Sequence, residues 1–217
     1  MNIELARFNM IEQQIRPWEV LDPGVLSLLA IVKREDFVPP AYRALAFVDT
    51  EVPLPGGQSM LEPKVEARLL QELAVHKHER VLEVGAGSGY MAALLAHKAQ
   101  HVTTLEIVPE LVQFASANLK RAGVMNVTVR EADGARGLAG DAPFDVIVLS
   151  GSVAELPGAL LAQLKVGGRL TAIVGQLPVM RAVLVTRDSE QGLRTVELFD
   201  TVAPRLKGVA EPSHFTF

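Results

Sequence analysis

Apolar runs alternate with helical patterns along the middle of the chain. The runs Val81–Val84 and Phe144–Leu149 are mostly apolar, as is typical of strands buried on both faces of a parallel sheet. Between them, Pro109–Arg121 carries apolar residues at helical spacing and begins with the proline that is favoured in a first helical turn. Strands and helices that alternate in this way form βαβ units. The pattern therefore predicts an α/β fold built on a doubly wound sheet.

The pattern changes toward the end of the chain. Met180–Thr186 and Arg194–Val202 are strand-like runs separated by a short polar segment, which predicts an antiparallel hairpin added to the sheet. Shorter predicted elements precede that hairpin. They are a strand over Val127–Val129, a helix over Pro157–Leu164, a chain turn at Gly167 and Gly168, and a strand over Arg169–Val174. The predicted sheet thus joins parallel strands to an antiparallel edge.

The first third of the chain has a different character. Leu5–Ile15 and Pro23–Val32 are interpreted as two short helices, neither of which could bury its apolar face alone. Phe47–Pro63 is rich in proline and glycine and is predicted to be a long loop, and such loops in compact domains are usually functional or mobile. We therefore expect an N-terminal helical appendage with its loop (1–63) packed on a main domain (64–217), effectively as one domain.

A glycine-rich turn follows the first predicted strand of the main domain. Gly85, Gly87 and Gly89 join that strand to an Ala- and Leu-rich helical pattern. Glycines let the backbone bend sharply and approach a ligand closely, and the opening turn of a helix offers unpaired N–H groups. Glu106 closes the next predicted strand, at the position from which such folds accept hydrogen bonds from ribose hydroxyls. A nucleotide-like ligand is therefore expected at this turn.

The spacing of the glycines narrows the kind of nucleotide. The dinucleotide fingerprint requires a third glycine at the position that Tyr90 holds here, and Glu83 stands two positions before the first glycine. This arrangement disfavours a nicotinamide cofactor. No Lys-Ser or Lys-Thr pair follows the glycines, so the turn is not a phosphate-binding P-loop. A nicotinamide-dependent dehydrogenase consequently remains a distant alternative.

Composition and charge exclude several other classes of protein. The formal net charge of -4 and the isoelectric point near 5.8 give no electrostatic footprint for nucleic acid. The chain has no cysteine, which rules out disulfides and thiolate catalysis, and His76 and His78 have no third ligand, so no metal site is expected. Apolar stretches are shorter than the roughly 18 residues of a membrane span, and the first residues are too polar for a secretory signal. We expect a cytoplasmic protein with no membrane partner.

The sequence EVGAGSGY at residues 83–90 resembles the first motif of class I S-adenosylmethionine-dependent methyltransferases. A more specific resemblance, to one family of these enzymes, extends over nearly the whole chain. The segments REDFVPPAYRALAFVDTEVPLPGGQSMLEP, RVLEVGAGSGYMAALLA, ADGARGL and PFDVIVLSGSVAELP follow one another as in protein-L-isoaspartate O-methyltransferases. Members of that family carry a phrase of the type GQTISxP ahead of the glycine motif. The resemblance implies a Rossmann-like methyltransferase sheet and S-adenosylmethionine as the cofactor.

The resemblance also implies which residues bind the cofactor and what accepts the methyl group. The implied cofactor-binding residues are Glu83, Gly85, Gly87, Gly89, Glu106, Asp133 and Gly134, the last two near the adenine. The implied acceptor is the free carboxylate of an isoaspartyl residue in a damaged protein or peptide. A carboxylate with a pKa near ~4 is already ionised at neutral pH. The transfer then needs alignment and exclusion of water, with no general base.

The acceptor side of this chain departs from the family phrase. In GQSMLEP, Leu61 stands where the family has the serine linked to catalysis, and leucine can neither donate nor accept a hydrogen bond. Ser59 aligns with the family threonine and Asp49 with a similar acidic residue, and these two are the candidate catalytic residues. Two alternatives to isoaspartyl methylation stay open. One is a relative with a different acceptor, and the other is a non-catalytic protein that binds S-adenosylmethionine and acts through partners.

Overall fold

The computed structural model describes residues 2–210. Its first elements are helix α1 (Ile3–Asn9), a π-helical turn (Met10–Ile15), a 3-10 turn (Arg16–Trp18) and helix α2 (Pro23–Ile31). The helix predicted over Leu5–Ile15 is therefore correct in position, but its winding changes at Met10. Asp22 caps α2, because its carboxylate accepts a hydrogen bond from the backbone N–H of Val25 at 2.8 Å.

The segment 47–63 contains a small hairpin where the sequence predicts a long loop. Strand β1 (Val52–Leu54) pairs antiparallel with strand β2 (Gln58–Met60), and Ser59 lies opposite Pro53. Gly56 in the connecting turn has a φ of 68°, which glycine adopts without steric cost. The prediction of a long loop missed these two strands because each is only three residues long, too short for an alternating pattern.

Seven strands form the main sheet. They are β3 (Arg80–Val84), β4 (His101–Glu106), β5 (Val127–Glu131), β6 (Phe144–Val153), β7 (Leu164–Gln176), β8 (Val179–Arg187) and β9 (Leu193–Thr201). Their order is β5-β4-β3-β6-β7-β8-β9, with parallel pairing from β5 to β7 and antiparallel pairing from β7 to β9. The predicted α/β class and the C-terminal antiparallel hairpin are confirmed.

The remaining α-helices are α3 (Pro63–Leu73), α4 (Tyr90–Lys98), α5 (Pro109–Arg121) and α6 (Gly158–Ala162). The predicted helix over Pro157–Leu164 is too long, since Leu164 already pairs with β6. The predicted turn at Gly167 and Gly168 is an irregularity inside β7. A Cβ on Gly168 would lie only 2.9–3.1 Å from three carbonyl oxygens, so a residue with a side chain does not fit at this position.

The hydrophobic core lies on both faces of the sheet. Alternate residues of the central strands point to opposite faces, so that Val81 and Val146 belong to one cluster while Leu82 and Ile147 belong to the other. The first cluster also holds the apolar residues of the N-terminal helices and of α3 and α4. The appendage is therefore packed against the main sheet.

The boundary between residues 63 and 64 stays a prediction, and residues 211–217 of the predicted main domain lie outside the described residues. Within residues 2–210, no helix has the length and apolar character needed to cross a membrane.

Candidate active site

The glycine motif forms the turn between β3 and α4 at the carboxyl edge of the sheet. Gly85 and Gly87 have φ values of 91° and 52°, in the left-handed region that favours glycine. The carbonyl oxygen of Leu105 on β4 accepts hydrogen bonds from the backbone N–H groups of Gly85 and Ala86, at 2.8 and 3.1 Å. The turn is thus fixed to the neighbouring strand, and its glycines let other groups approach the backbone closely: a Cβ on Gly85 would lie 2.6 Å from Leu206, and one on Gly87 would lie 3.3 Å from Leu54.

Glu83 is a fully buried carboxylate at the end of β3. The hydroxyl of Ser150 on β6 donates a hydrogen bond to its Oε1 at 2.7 Å, whereas Oε2 has no hydrogen-bond partner among the described residues. Burial raises the pKa of Glu83 to about 7. The nearby hydroxyls of Thr104 and Ser150 act in the opposite direction and lower this pKa, whereas the charges of Glu66 and Glu106 raise it. A buried carboxylate with an unsatisfied oxygen is suited to a cationic ligand group.

Glu106 orders the glycine turn from the end of β4. Its Oε2 accepts a hydrogen bond from the backbone N–H of Gly87 at 2.9 Å. Its Oε1 accepts from the backbone N–H groups of Ile107 and Val108 at 2.9 and 3.0 Å. The carboxylate therefore joins two loops at the sheet edge, and its predicted contact with ribose hydroxyls stays a prediction.

A small cavity joins the glycine turn to the β1–β2 hairpin. Its volume is about 20 Å³, close to the room needed for one water molecule. The lining residues come from the hairpin, α3, the glycine turn, α4 and β6. They are Ser59, Met60, Leu61, Glu66, Glu83, Gly85, Ala86, Gly87, Ser88, Met91 and Ser150. The structure thus brings the predicted residues Ser59, Glu83, Gly85 and Gly87 together.

Asp49 does not line this cavity. Its Oδ2 accepts a hydrogen bond from Nζ of Lys64 at 2.6 Å, in an ion pair that also includes Glu62 at 3.1 Å from the same Nζ. Lys64 in turn lies over the ring of Trp18 at 4.5 Å. Asp49 is therefore placed to brace α3 against the hairpin segment, and its predicted catalytic role rests on the resemblance alone.

Asp133, Gly134 and Gly89 do not line this cavity. Asp133 accepts a hydrogen bond from the backbone N–H of Ala135 at 3.1 Å, an ordinary turn contact. A Cβ on Gly134 would lie 2.3 Å from the Val84 side chain, so this turn packs tightly on the end of β3. A Cβ on Gly89 would meet α5 at 3.2 Å, which makes helix packing the visible reason for that glycine.

Two buried residues of the site were not predicted from the sequence. Arg34 and Glu66 form an ion pair in which both side chains are almost completely buried, and Glu66 lines the cavity. Burial raises the pKa of Glu66 while the charge of Arg34 lowers it. Glu66 lies one helical turn before Leu69 and Leu70 and two turns before Leu73, and a charged residue on such an apolar face is a signal of a buried partner.

The C-terminal segment also reaches the glycine turn. Leu206 is 9% exposed, and its Cδ2 lies 2.6 Å from the position of a Cβ on Gly85. Lys207 Nζ donates a hydrogen bond to the carbonyl oxygen of Gly56 at 2.6 Å. The segment around Leu206 therefore covers the turn and contacts the hairpin.

We expect the pH dependence of stability to change when Glu83 is replaced by glutamine. The folded-state pKa of about 7 lies above the ordinary value of 4.5, so Glu83 makes the folded protein bind more protons than the unfolded chain between these pH values. Its contribution to the free energy of unfolding therefore decreases as pH rises through this window. Urea unfolding of the ligand-free protein measures the free energy of unfolding of both proteins at each pH. The value for Glu83→Gln should increase relative to that of the wild type as the pH rises from 5 to 8.

The comparison with wild type at each pH is needed because other groups titrate in the same range. His97 has a pKa lowered by burial and by Lys77, which contributes stability that increases with pH. That contribution is present in both proteins and cancels in the difference. A stability difference that is constant from pH 5 to pH 8 would contradict the buried, titrating state of Glu83.

Among residues 2–210, no group of three or more His, Cys, Asp or Glu side chains is arranged to hold a metal ion. His76 and His78 stack against each other with ring centroids 5.9 Å apart.

The chain matches the family model of protein-L-isoaspartate(D-aspartate) O-methyltransferases over residues 6–202. It is 42% identical over 195 residues to protein-L-isoaspartate O-methyltransferase 1 of Rhodopseudomonas palustris, an alignment that covers 89% of this chain and 80% of that protein. It is 39% identical over 196 residues to the protein-L-isoaspartate O-methyltransferase of Koribacter versatilis, covering 90% of this chain and 88% of that protein.

A solved structure has the same fold. It is a beta-aspartate methyltransferase from Plasmodium falciparum in complex with S-adenosyl-L-homocysteine. The TM-score is 0.79, the sequence identity is 23%, and the match covers 95% of this chain and 99% of that one.

Proposed function

Since the chain belongs to the protein-L-isoaspartate(D-aspartate) O-methyltransferase family, we propose that it methylates the free carboxylate of isoaspartyl residues in damaged proteins or peptides. We propose that the reaction takes place where the Glu83-to-Tyr90 turn meets the β1–β2 hairpin. Family membership confirms the resemblance given by residues 83–90. The enzyme is a methyltransferase whose donor is S-adenosylmethionine. The observation that carries the proposal is the small cavity lined by the glycine turn together with Ser59 and Leu61.

The buried polar groups of the turn fit this donor. Glu83 Oε2 lacks a hydrogen-bond partner, so it would hold the ammonium group of the donor's methionine end. The left-handed glycines at 85 and 87 let the backbone approach the donor closely. We place the ribose near Glu106 and the adenine near Asp133 and Gly134. The bound donor supplies an electrophilic methyl group on a sulfonium sulfur.

The residues of this chain align the donor with the acceptor and exclude water from the site. The acceptor carboxylate is already ionised at neutral pH, so no residue has to remove a proton from it. Met60 and Leu61 are 4% exposed and close the cavity on the hairpin side, while Met91 closes it from α4. Their apolar side chains exclude the water that would compete with the acceptor. Holding donor and acceptor in line is an effect worth up to ~7–11 kcal/mol in favourable cases.

Ser59 is the hydroxyl that we assign to the acceptor. It lines the cavity beside Leu61, the residue that replaces the family serine, so its O–H is available to donate a hydrogen bond to the substrate carboxylate. In this proposal Asp49 supports the site without contacting the substrate. By binding Lys64 it fixes the start of α3, from which Glu66 projects into the cavity. The substrates are isoaspartyl proteins or peptides, and we propose a cytoplasmic enzyme without a nucleic-acid partner, in keeping with the net charge of -4.

The test is transfer of labelled methyl groups from S-adenosylmethionine to matched isoaspartyl and aspartyl peptides. We expect selective labelling of the isoaspartyl peptide, because only its linkage presents the free carboxylate in the required position. Calorimetric binding of the donor is measured in parallel. Donor binding without transfer to either peptide would overturn the isoaspartyl assignment and favour a different acceptor or a non-catalytic role.

A further inference from the structure

Arg34 contacts three parts of the site from the interior of the protein. Its side chain is fully buried and forms an ion pair with Glu66, which lines the donor cavity. Its Nη2 donates a hydrogen bond to the carbonyl oxygen of Leu61 at 2.8 Å. Its guanidinium also lies over the ring of Tyr90, 5.2 Å from the centroid, at the start of α4. One buried cation thus joins α3, the backbone of Leu61 just after β2, and Tyr90 at the end of the glycine turn.

Burying a cation of this kind is costly unless every contact is satisfied. A buried ion pair contributes little net stability compared with apolar residues of similar volume. The Arg34–Glu66 pair is therefore poorly explained as a stabilising device alone. Its geometry is better explained by the hydrogen bond to Leu61, because the planar guanidinium can bind a carboxylate and a carbonyl oxygen at the same time.

We propose that Arg34 is a positioning residue for methyl transfer. It holds the backbone of Leu61 at a fixed distance from the glycine turn, and Glu66 orients the guanidinium for that contact. The acceptor carboxylate then meets the donor methyl in one geometry, although the side chain at position 61 offers no hydrogen bond. This inference rests on the proposed isoaspartyl methylation.

The test compares two ways of removing this contact. Arg34→Lys keeps the positive charge beside Glu66 but loses the forked geometry that reaches Leu61. Arg34→Met combined with Glu66→Leu removes both charges and leaves neither one buried alone. We expect each variant to fold and to raise KM for the isoaspartyl peptide by about tenfold, the effect of losing one charge-assisted hydrogen bond. Donor binding by calorimetry should change less than about threefold in Arg34→Lys.

A matched variant separates positioning from general support of the fold. Arg7→Lys alters the neighbouring ion pair with Glu35, whose side chains are also mostly buried, and leaves the hydrogen bond from Arg34 to Leu61 in place. We expect no change of KM in Arg7→Lys.

Amide hydrogen exchange gives a readout that does not depend on the reaction. Exchange in residues 58–62 should accelerate in Arg34→Lys and remain at the wild-type rate in Arg7→Lys. Unchanged exchange and unchanged KM in Arg34→Lys would overturn the inference. Equal losses of donor and acceptor binding would do the same, since they indicate a general structural role. A wild-type enzyme that ignores isoaspartyl peptides would instead refute the proposed function, while the exchange result would still test the contact.

Discussion

Replacing Glu83 with glutamine is expected to weaken binding of S-adenosylmethionine by about 10- to 100-fold. The substitution keeps the size of the side chain and leaves an oxygen for the hydroxyl of Ser150. It removes the charge that we propose to face the donor's ammonium group, and a hydrogen bond to a charged group contributes roughly 1.5–3 kcal/mol. Calorimetric titration with S-adenosylmethionine measures the loss directly, and methyl transfer at subsaturating donor should fall in parallel.

The pH dependence of donor binding gives a second measure of the same charge. Because the pKa of Glu83 is raised to about 7 by burial, its charged fraction increases between pH 6 and pH 8. Donor affinity of the wild type should rise over this interval and that of Glu83→Gln should rise much less. Glu110→Gln, an exposed glutamate at the start of α5, is the matched control. Equal affinities of wild type and Glu83→Gln would place the ammonium group elsewhere.

Replacing Leu61 with serine is expected to lower KM for an isoaspartyl peptide by about tenfold and to reduce stability. The Leu61 side chain lines the cavity and is 4% exposed, so truncation removes apolar packing at a cost of about 2–4 kcal/mol in the free energy of unfolding. The new hydroxyl can donate a hydrogen bond to the acceptor carboxylate. Steady-state kinetics with the labelled donor and urea unfolding measure the two effects separately.

Leu61→Ala is the matched control for this substitution. It leaves a similar space without a hydroxyl, so it should lose stability to a similar extent while KM stays high. The backbone contact from Arg34 to residue 61 is available in both variants, because it uses the carbonyl oxygen. A decrease of KM in Leu61→Ala as large as that in Leu61→Ser would show that the bulk of leucine, and not its lack of a hydrogen bond, limits acceptor binding.

The positions of the glycine turn and of Glu106 could be predicted from the sequence because these residues depend on local patterns and on neighbouring strands. Residues 83–90 form one turn, and Glu106 ends the adjacent strand, so local patterns and a two-strand pairing suffice to place them. The helix over Pro109–Arg121 was predicted with its observed bounds for the same reason. Regular spacing and a proline at the first turn are local signals.

The acceptor side could not be predicted to the same extent because its contacts join distant segments. The signal at Glu66 shows only that a buried partner is needed, and nothing local in the charged stretch around Arg34 identifies that partner. The short strands β1 and β2 likewise depend on each other and on the packing beneath them. Such tertiary contacts override local propensity, which is why a loop was predicted there.

The contact between Leu206 and Gly85 places a constraint on the order of events during synthesis. The glycine turn leaves the ribosome long before Leu206, and the two become neighbours only when the segment after β9 folds back along β6. Contacts between residues so far apart in the chain form late, since the intervening chain must be ordered first. A growing chain therefore completes its core helices and strands before it completes the cover of its glycine turn. We expect the nascent protein to become a methyltransferase only after Leu206 has left the ribosome.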